Sequence, residues 1–483
     1  MKLSVYLVGS NPLPVMIALS YDFKLVQEFD KAKAKNKNPD TVLFVCSGDT
    51  ENYCDNIKQW MRKKQINVEI KYKKVSEAHY SLSMYNEIKK EVMDILNLQN
   101  DIKEIFINVT SGTKTMATNA ILALIDVAGD RDISLIEADI DPEKGCINLY
   151  DPIAKTDKGH FPYDITIAEA FGDVITISDI MEAYDYRLKR ENDKGFILED
   201  QQKTIEFAQK ILANDKAYTL FQAIVFGLKS LYDFRKKLTN NEKNPESMIL
   251  KEETLNNFLL DVFNLDLKDN GAKKGIDLGL IKKINAKKIN KDEKLFPFIY
   301  SIDDELKTLC DDFKEYGLLT ENNGVYSMKK EAYEFVTGKW FEEYIWALIR
   351  ELTDGKIQFE VKQSCEIYPK DAKDGSKFEI DVVVRNGFDI YFISCTTDTT
   401  KHLSNTKIRE VLANSESIGL RTKVIFVSMY NEDSSEFQQR YNAFSSRKYK
   451  NIKYITIVDM KNINVLKKRL ADILNIKKTG DLI

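Results

Sequence analysis

The feature that most constrains this chain is the rhythm of its first 150 residues. Five short β-rich runs, Leu3–Val8, Val42–Val45, Val68–Tyr72, Ile105–Asn108 and Ile133–Ala138, alternate with helical patterns such as Asn52–Lys64 and Tyr80–Leu98. Strand and helix in alternation predict a mostly parallel, doubly wound α/β sheet. In such a sheet ligands sit beyond the carboxyl ends of the strands. Three polar turns fall there: Gly9-Ser10-Asn11-Pro12, Ser47-Gly48-Asp49-Thr50 and Thr110-Ser111-Gly112-Thr113-Lys114. Each alone says little; three at one sheet edge predict a shared polar pocket.

The third turn is the most telling. Asn108-Val109-Thr110-Ser111-Gly112-Thr113-Lys114-Thr115-Met116 follows the apolar run Ile105-Phe106-Ile107 and opens into the helical pattern Ala117–Ile125. A strand, a tight polar turn and a helix present free backbone N–H groups, hydroxyls and one lysine at a helix N-terminus. The helix dipole and its four unpaired N–H groups favour an anion there, most often a phosphate. The spacing is not that of a P-loop, which needs Gly-x4-Gly-Lys-Ser/Thr; Gly112-Thr113-Lys114 lacks the first glycine. A phosphate site and an ordinary βα connection both fit these residues. No Gly-x-Gly-x-x-Gly follows Val8, which argues against a dinucleotide.

A chain of 483 residues is too long for one core, so two or three domains are expected. With 71 basic and 75 acidic residues, the net charge of −4 excludes a global basic footprint for nucleic acid, and any such surface is local. Cys46, Cys54, Cys146, Cys310, Cys365 and Cys395 form no C-x-x-C pair. That pattern disfavours structural zinc and fits a reducing, cytoplasmic setting. Neither a signal peptide nor an uninterrupted apolar span is visible, so no membrane association is expected. The only histidines are His79, His160 and His402, a thin basis for catalysis by a His pair.

The middle of the chain reads differently. Long helical patterns dominate, as in Glu199–Asp233, and a Lys-rich stretch, Lys268–Lys294 with Gly271, Gly275 and Gly279, reads as a solvated linker. Helix Asp303–Tyr316, followed by a hairpin turning at Asn322-Asn323-Gly324, looks like the second half of a winged helix. With no basic recognition helix in sight, a connector is expected.

The last third returns to α/β. A helix starts near Gly338-Lys339-Trp340-Phe341-Glu342-Glu343-Tyr344; strands follow at Phe378–Val384, Ile390–Cys395 and Lys423–Val427, with helices at Lys407–Ala413 and Ile463–Leu474. Period two puts Glu379 and Asp381 on one face of their strand, with Ile380, Val382 and Val384 on the other. Two carboxylates on an otherwise apolar strand are costly to bury unless paired or metal-bound, and hard oxygen ligands suit Mg²⁺ or Mn²⁺. A helical acid (Glu342 or Glu343), a strand Asp and a second strand ending in a polar pair make the layout of PD-(D/E)xK nucleases. There a metal activates water and a lysine supports attack on the phosphodiester. The alternative is that Glu379 and Asp381 face solvent on an edge strand.

With both ends in hand, the chain resembles the CARF-domain nucleases of type III CRISPR defence. Asn108-Val109-Thr110-Ser111-Gly112-Thr113-Lys114 resembles the CARF strand–turn–helix signature. Glu331–Glu343, with Gly338-Lys339-Trp340-Phe341-Glu342-Glu343, resembles the lead into that family's nuclease domain, and the end of the chain looks like the PD-(D/E)xK domain itself. The resemblance covers nearly the whole chain. It implies an N-terminal Rossmann-like CARF domain (1–160), a helical, winged-helix-like connector (161–335) and a C-terminal PD-(D/E)xK nuclease-like α/β domain (336–483). It implies a homodimer whose paired CARF domains bind cyclic oligoadenylate, most often cyclic tetra-adenylate, as activator. It also implies an endonuclease that hydrolyses DNA, RNA or both with Mg²⁺ or Mn²⁺. On this reading Ser10, Asn11, Ser47, Thr50, Thr110, Ser111, Gly112, Thr113 and Lys114 hold the messenger. Asp381 is the principal metal ligand, Glu342 completes the site with Glu343 in reserve, and Glu379 assists or merely flanks.

One departure matters. The family's Glu-x-Lys on the second strand is Ser394-Cys395-Thr396 here. Lys401, Lys407 and Glu410 are the charged candidates downstream, and Lys407 and Glu410 share one face of an expected helix. Either the site is rebuilt with Lys407 and Glu410, or it is degenerate. In the second case the chain is a cyclic-oligoadenylate-responsive, DNA-binding regulator.

Overall fold

The structure is a computed structural model. It describes residues 1–25, 38–75, 81–141, 146–162, 174–190, 196–198, 200–212, 249–250, 286–287, 295–298, 304–322, 325–329, 334–356, 358–370, 377–387, 389–397, 410–415, 422–429, 452–455 and 461–476, and residues 221, 225, 332 and 418.

The expected alternation appears as seven strands: β1 (Lys2–Val8), β2 (Thr41–Cys46), β3 (Glu69–Lys74), β4 (Glu104–Asn108), β5 (Ser134–Asp141), β6 (Cys146–Asp151) and β7 (Thr156–Pro162). Their order is β3-β2-β1-β4-β5-β6-β7. The first five are parallel; β6 adds antiparallel to β5, and β7 antiparallel to β6, an extension the sequence pattern did not signal. Helices α1 (Leu13–Asp22) and α2 (Glu51–Lys63) cover one face, packing on Tyr6, Phe44 and Phe106. Helices α3 (Ser81–Leu98) and α4 (Lys114–Arg131) cover the other, packing on Val5, Val45 and Ile107. Double coverage explains why β1 and β2 are buried at every position and read as largely apolar runs. Lys2, Ser4 and Tyr6 all bond the Asp22 carboxylate, a buried cluster that ties the end of α1 to β1.

A short helix, α5 (Ile177–Ala183), is opened by a Thr176/Asp179 capping box. It leads into β8 (Tyr186–Arg190) and packs on α2 by Lys64–Asp179 at 3.4 Å and Lys63–Glu182. Further on come α6 (Gln201–Leu212), a two-residue ladder of β9 (Ile249–Leu250) and β10 (Ala286–Lys287), and β11 (Leu295–Phe298). Helix α7 (Asp304–Glu315), β12 (Thr320–Asn322) and β13 (Val325–Lys329) follow, with sheet order β11-β13-β12. Aromatic rings join α6 to α7 and to the turn that leads into α8 (Trp340–Thr353): Phe207 lies 5.8 Å from Phe313 and 5.3 Å from Phe335, and Phe221 lies 5.3 Å from Trp340.

The C-terminal sheet contains β14 (Phe359–Pro369), β15 (Phe378–Asn386), β16 (Asp389–Thr396), β17 (Thr422–Ser428) and β18 (Ile452–Ile455), in the order β18-β17-β16-β15-β14-β8. β14, β15 and β16 are antiparallel; β17 and β18 continue parallel to β16. α8 and α9 (Ile463–Ile473) pack on Val382, Val384, Ile393 and Ile425. Val383, Phe392, Val424 and Phe426 share a cluster with Val411, Leu412 and Ile418. β8 comes from the stretch read as connector, yet it is the edge strand of this sheet. Residues 410–415 are largely helical. Lys401 and Lys407, most of Lys268–Lys294, and the Asn323-Gly324 turn lie outside the described residues. Among the described residues, no helix is long and apolar enough to cross a membrane.

Candidate functional site

Parallel pairing brings Val8 level with Cys46 and Tyr6 level with Asn108, so all three polar turns leave the same edge of the N-terminal sheet. The loops after β1 and β4 straddle the point where strand order reverses, the usual ligand crevice of such sheets. The two loops interlock. Gly9 N–H donates to Ser111 Oγ at 3.2 Å, and Ser111 Oγ donates to the Asn11 carbonyl. A side chain at position 9 would meet the Ser111 carbonyl oxygen at 1.8 Å, and one at Gly112 would meet Leu7 at 2.9 Å.

Most hydroxyls of the expected messenger site are engaged inside the protein. Thr50 is buried; its Oγ1 accepts from Ser47 N at 3.1 Å and donates to the Val8 carbonyl at 2.8 Å. Thr110 Oγ1 accepts from Ile140 N at 2.8 Å and donates to Asp139 at 3.2 Å. Thr113 caps α4 by accepting from Met116 N at 3.2 Å. These bonds shape the loops. Ser10 and Lys114 are exposed, with Gly112, Asn11 and Ser47 half-buried between them. The first-turn N–H groups of Lys114 and Thr115 have no intrahelical acceptor, as at any helix start. The edge therefore offers an exposed cation, a hydroxyl and backbone donors suited to a phosphate. Sequence reasoning missed a second cation at the rim: Lys74 Cε would lie 3.4 Å from a β-carbon at Gly48, and Lys74 pairs with Glu51 at 2.8 Å. It also missed Tyr184, whose hydroxyl donates to Asn11 Oδ1 at 2.5 Å from 173 residues away, a separation no local pattern encodes.

In the C-terminal sheet, the two strand carboxylates part company. Glu379 is exposed, whereas Asp381 is 5% exposed. Asp381 Oδ2 accepts from Cys395 N at 2.6 Å and from the Ser394 hydroxyl at 3.3 Å. A carboxylate is tolerated in so dry a place because donors meet it. On α8 the adjacent acids also divide. Glu342 is half-buried, and Glu343 is 2% exposed and accepts from Ile197 N at 3.1 Å. Burial pushes the Glu343 carboxyl up to about 7, against smaller opposing effects of that hydrogen bond and of Lys339. Glu410 is exposed at the start of the described part of its helix. Among the described residues, no three His, Cys, Asp or Glu side chains converge to form a metal cluster. What Asp381 offers is one buried carboxylate beside a neutral Ser394 and Thr396. That donor set suits Mg²⁺, which ordinarily takes one or two carboxylates and completes its shell with water and substrate phosphate.

No protein-family model matches the chain, and no curated protein matches it in sequence. Its fold, however, is found along its whole length in solved structures. Protein VC1899 from Vibrio cholerae superposes with a TM-score of 0.63 at 13% identity, covering 98% of each chain. Can2 from Sulfobacillus thermosulfidooxidans, solved in complex with cyclic tetra-adenylate, superposes with a TM-score of 0.58 at 15% identity, covering 98% of this chain and all of its own. At these identities the likeness is one of mixed α/β fold.

Proposed function

We propose that this chain is a nuclease of type III CRISPR antiviral defence, activated by cyclic oligoadenylate and dependent on a divalent metal. The observation that carries the reading is the full-length likeness to Can2, a protein solved with cyclic tetra-adenylate in place. Two features of this chain support it independently: the interlocked polar turns at the switch point of the N-terminal sheet, and the buried, hydrogen-bonded Asp381 of the C-terminal one.

In this reading Lys114, Ser10 and the first-turn N–H groups of α4 hold messenger phosphates, and Thr50, Thr110, Ser111 and Thr113 hold the loops in shape around them. A ring of identical nucleotides suits a two-fold homodimer, each subunit giving the same contacts. Asp381 anchors Mg²⁺ or Mn²⁺, with Glu342 completing the site and Glu379 at its mouth. When bound, the ion supplies an activated water and polarises the scissile phosphate. The Cys395 N–H and Ser394 hydroxyl fix the Asp381 carboxylate. Lys407 and Glu410 replace the charge missing from Ser394-Cys395-Thr396. The substrate is DNA, RNA or both.

The neutral Ser394-Cys395-Thr396 favours one rival, a messenger-responsive DNA-binding regulator with an inactive nuclease fold. Incubating plasmid and single-stranded DNA and RNA with Mn²⁺, with and without each cyclic oligoadenylate, separates the two. Messenger-stimulated cleavage supports the nuclease. Messenger binding without cleavage of any substrate supports the regulator.

A further inference from the structure

Two elements of the N-terminal pocket end on the same two residues, Tyr184 and Asp185. From the loop after β1, Asn11 Oδ1 accepts from the Tyr184 hydroxyl at 2.5 Å. From the turn after β2, α2 starts directly beyond Thr50, and its Asn52 and Asn56 amides donate to the Asp185 carboxylate, Asn56 at 2.6 Å. The residues joined are 173, 133 and 129 positions apart in sequence, so chain proximity explains none of these bonds. Asp185 itself is left-handed, with φ +66°, a conformation non-glycine residues seldom adopt.

The next residue opens β8, the edge of the C-terminal sheet. The Asp185 carbonyl accepts from Lys370 N at 2.7 Å, just past the end of β14, and Lys370 Nζ reaches back to Asn56. β8 then pairs along β14 from Tyr186↔Pro369 to Arg190↔Cys365. One residue further, Ser364 has φ +46°. It lies between the pairs Gln363↔Val382 and Cys365↔Ile380, level with Asp381 on β15.

We propose that Tyr184 and Asp185 are a relay between the two sites. A messenger that moves the loop at Asn11 or the start of α2 moves the residue pair that sets where β8 lies along β14. It thereby shifts the strand beside Asp381. The inference rests on the messenger reading of the pocket and supplies its regulation. α5, which precedes the pair, is tied to α2 by Lys63–Glu182 and Lys64–Asp179, a second link between α2 and the pair.

The test uses the full-length protein, with cyclic tetra-adenylate as the probe. Calorimetry, amide hydrogen exchange and cleavage are compared for wild type, Tyr184→Phe and Asn56→Ala; the second variant serves if the first does not fold. The expected result is that messenger changes exchange in residues 184–190 and 362–370 of the wild type. Both variants bind messenger as the wild type does, yet lose that change. Their unstimulated cleavage stays the same and stimulation drops roughly tenfold, a typical coupling factor. Messenger bound without any exchange change in those strands overturns the relay, as does full stimulation in both variants. No messenger binding by the wild type removes the pocket reading and the relay with it. An exchange change in the wild type without cleavage supports the relay and removes only the nuclease.

Discussion

At the carboxyl edge of the N-terminal sheet, polar side chains are many and most bond backbone groups of the protein; in the C-terminal sheet Asp381 stands beside the neutral Ser394 and Thr396. Thr50, Thr110, Ser111 and Thr113 each have a partner inside the protein. Ser10 and Lys114 are left to face outward. Asp381 is held by Cys395 N–H and the Ser394 hydroxyl, and Ser394 and Thr396 on the adjacent strand are neutral. The first arrangement spreads the shaping of the loops over many groups. On the proposed reading the second rests a metal site on one carboxylate, so single substitutions should have very different consequences at the two ends.

The largest effect is expected at Asp381. Asp381→Asn keeps nearly the same shape and can still accept from Cys395 N–H, but lacks the charge that holds a cation. Cleavage should fall below detection, in plasmid assays with Mn²⁺, while messenger binding by calorimetry is unchanged. EDTA should abolish wild-type cleavage in the same way. A mutant cutting at the wild-type rate would move the active site elsewhere. Next comes Lys407→Ala, with a loss of about 10²–10³ in single-turnover rate, typical of removing one group that stabilises developing negative charge. Lys401→Ala should lose little, and full activity in the Lys407 variant would remove the rebuilt site.

A third test concerns Glu343. Burial raises its carboxyl from 4.5 to about 7, so the folded protein holds that proton more tightly than the unfolded chain does. Its contribution to stability is therefore fully present below pH 4.5 and is lost as pH rises through about 7. At ~1.4 kcal/mol per pK unit the loss amounts to about 3 kcal/mol. Glu343→Gln should flatten that part of the profile, read from urea midpoints across the interval; an unchanged slope would mean the carboxyl titrates normally. Smaller again is Lys114→Ala. A charge-assisted contact contributes roughly 1.5–3 kcal/mol, so messenger affinity should fall about 10- to 150-fold by calorimetry. Equal affinity would take Lys114 out of the pocket. The smallest is Thr113→Ala, which removes a helix cap and should lower stability by about 1 kcal/mol, visible as a shifted urea midpoint.

The comparison also separates what the sequence disclosed from what it hid. Strands β1, β2 and β4 were legible because helices cover both faces, which forces apolar residues at nearly every position. β8 was not: Tyr-Arg-Leu-Lys-Arg has no run to detect, and its partner β14 lies more than 170 residues along the chain. In the N-terminal pocket, residue types and spacing placed three turns at one edge, but no periodicity says whether a threonine hydroxyl faces a ligand or the carbonyl behind it. Asp381 was legible as a carboxylate on an apolar strand. That Glu343, and not Glu342, is the buried member of its pair depends on the loop at Ile197, which helix spacing cannot report.

The near-collision at Gly9 has a consequence for descent. Any β-carbon there would lie 1.8 Å from the Ser111 carbonyl oxygen, so the backbones on either side of the switch point are riveted together. If the pocket holds the proposed messenger, a lineage that drifts toward a larger or smaller ring cannot widen or narrow it by parting these two loops. Its room to diversify lies on the other flank, where an exposed Gly48 faces the flexible arm of Lys74. Changes of ligand should therefore be written in the turn after β2, while the turns after β1 and β4 stay almost fixed.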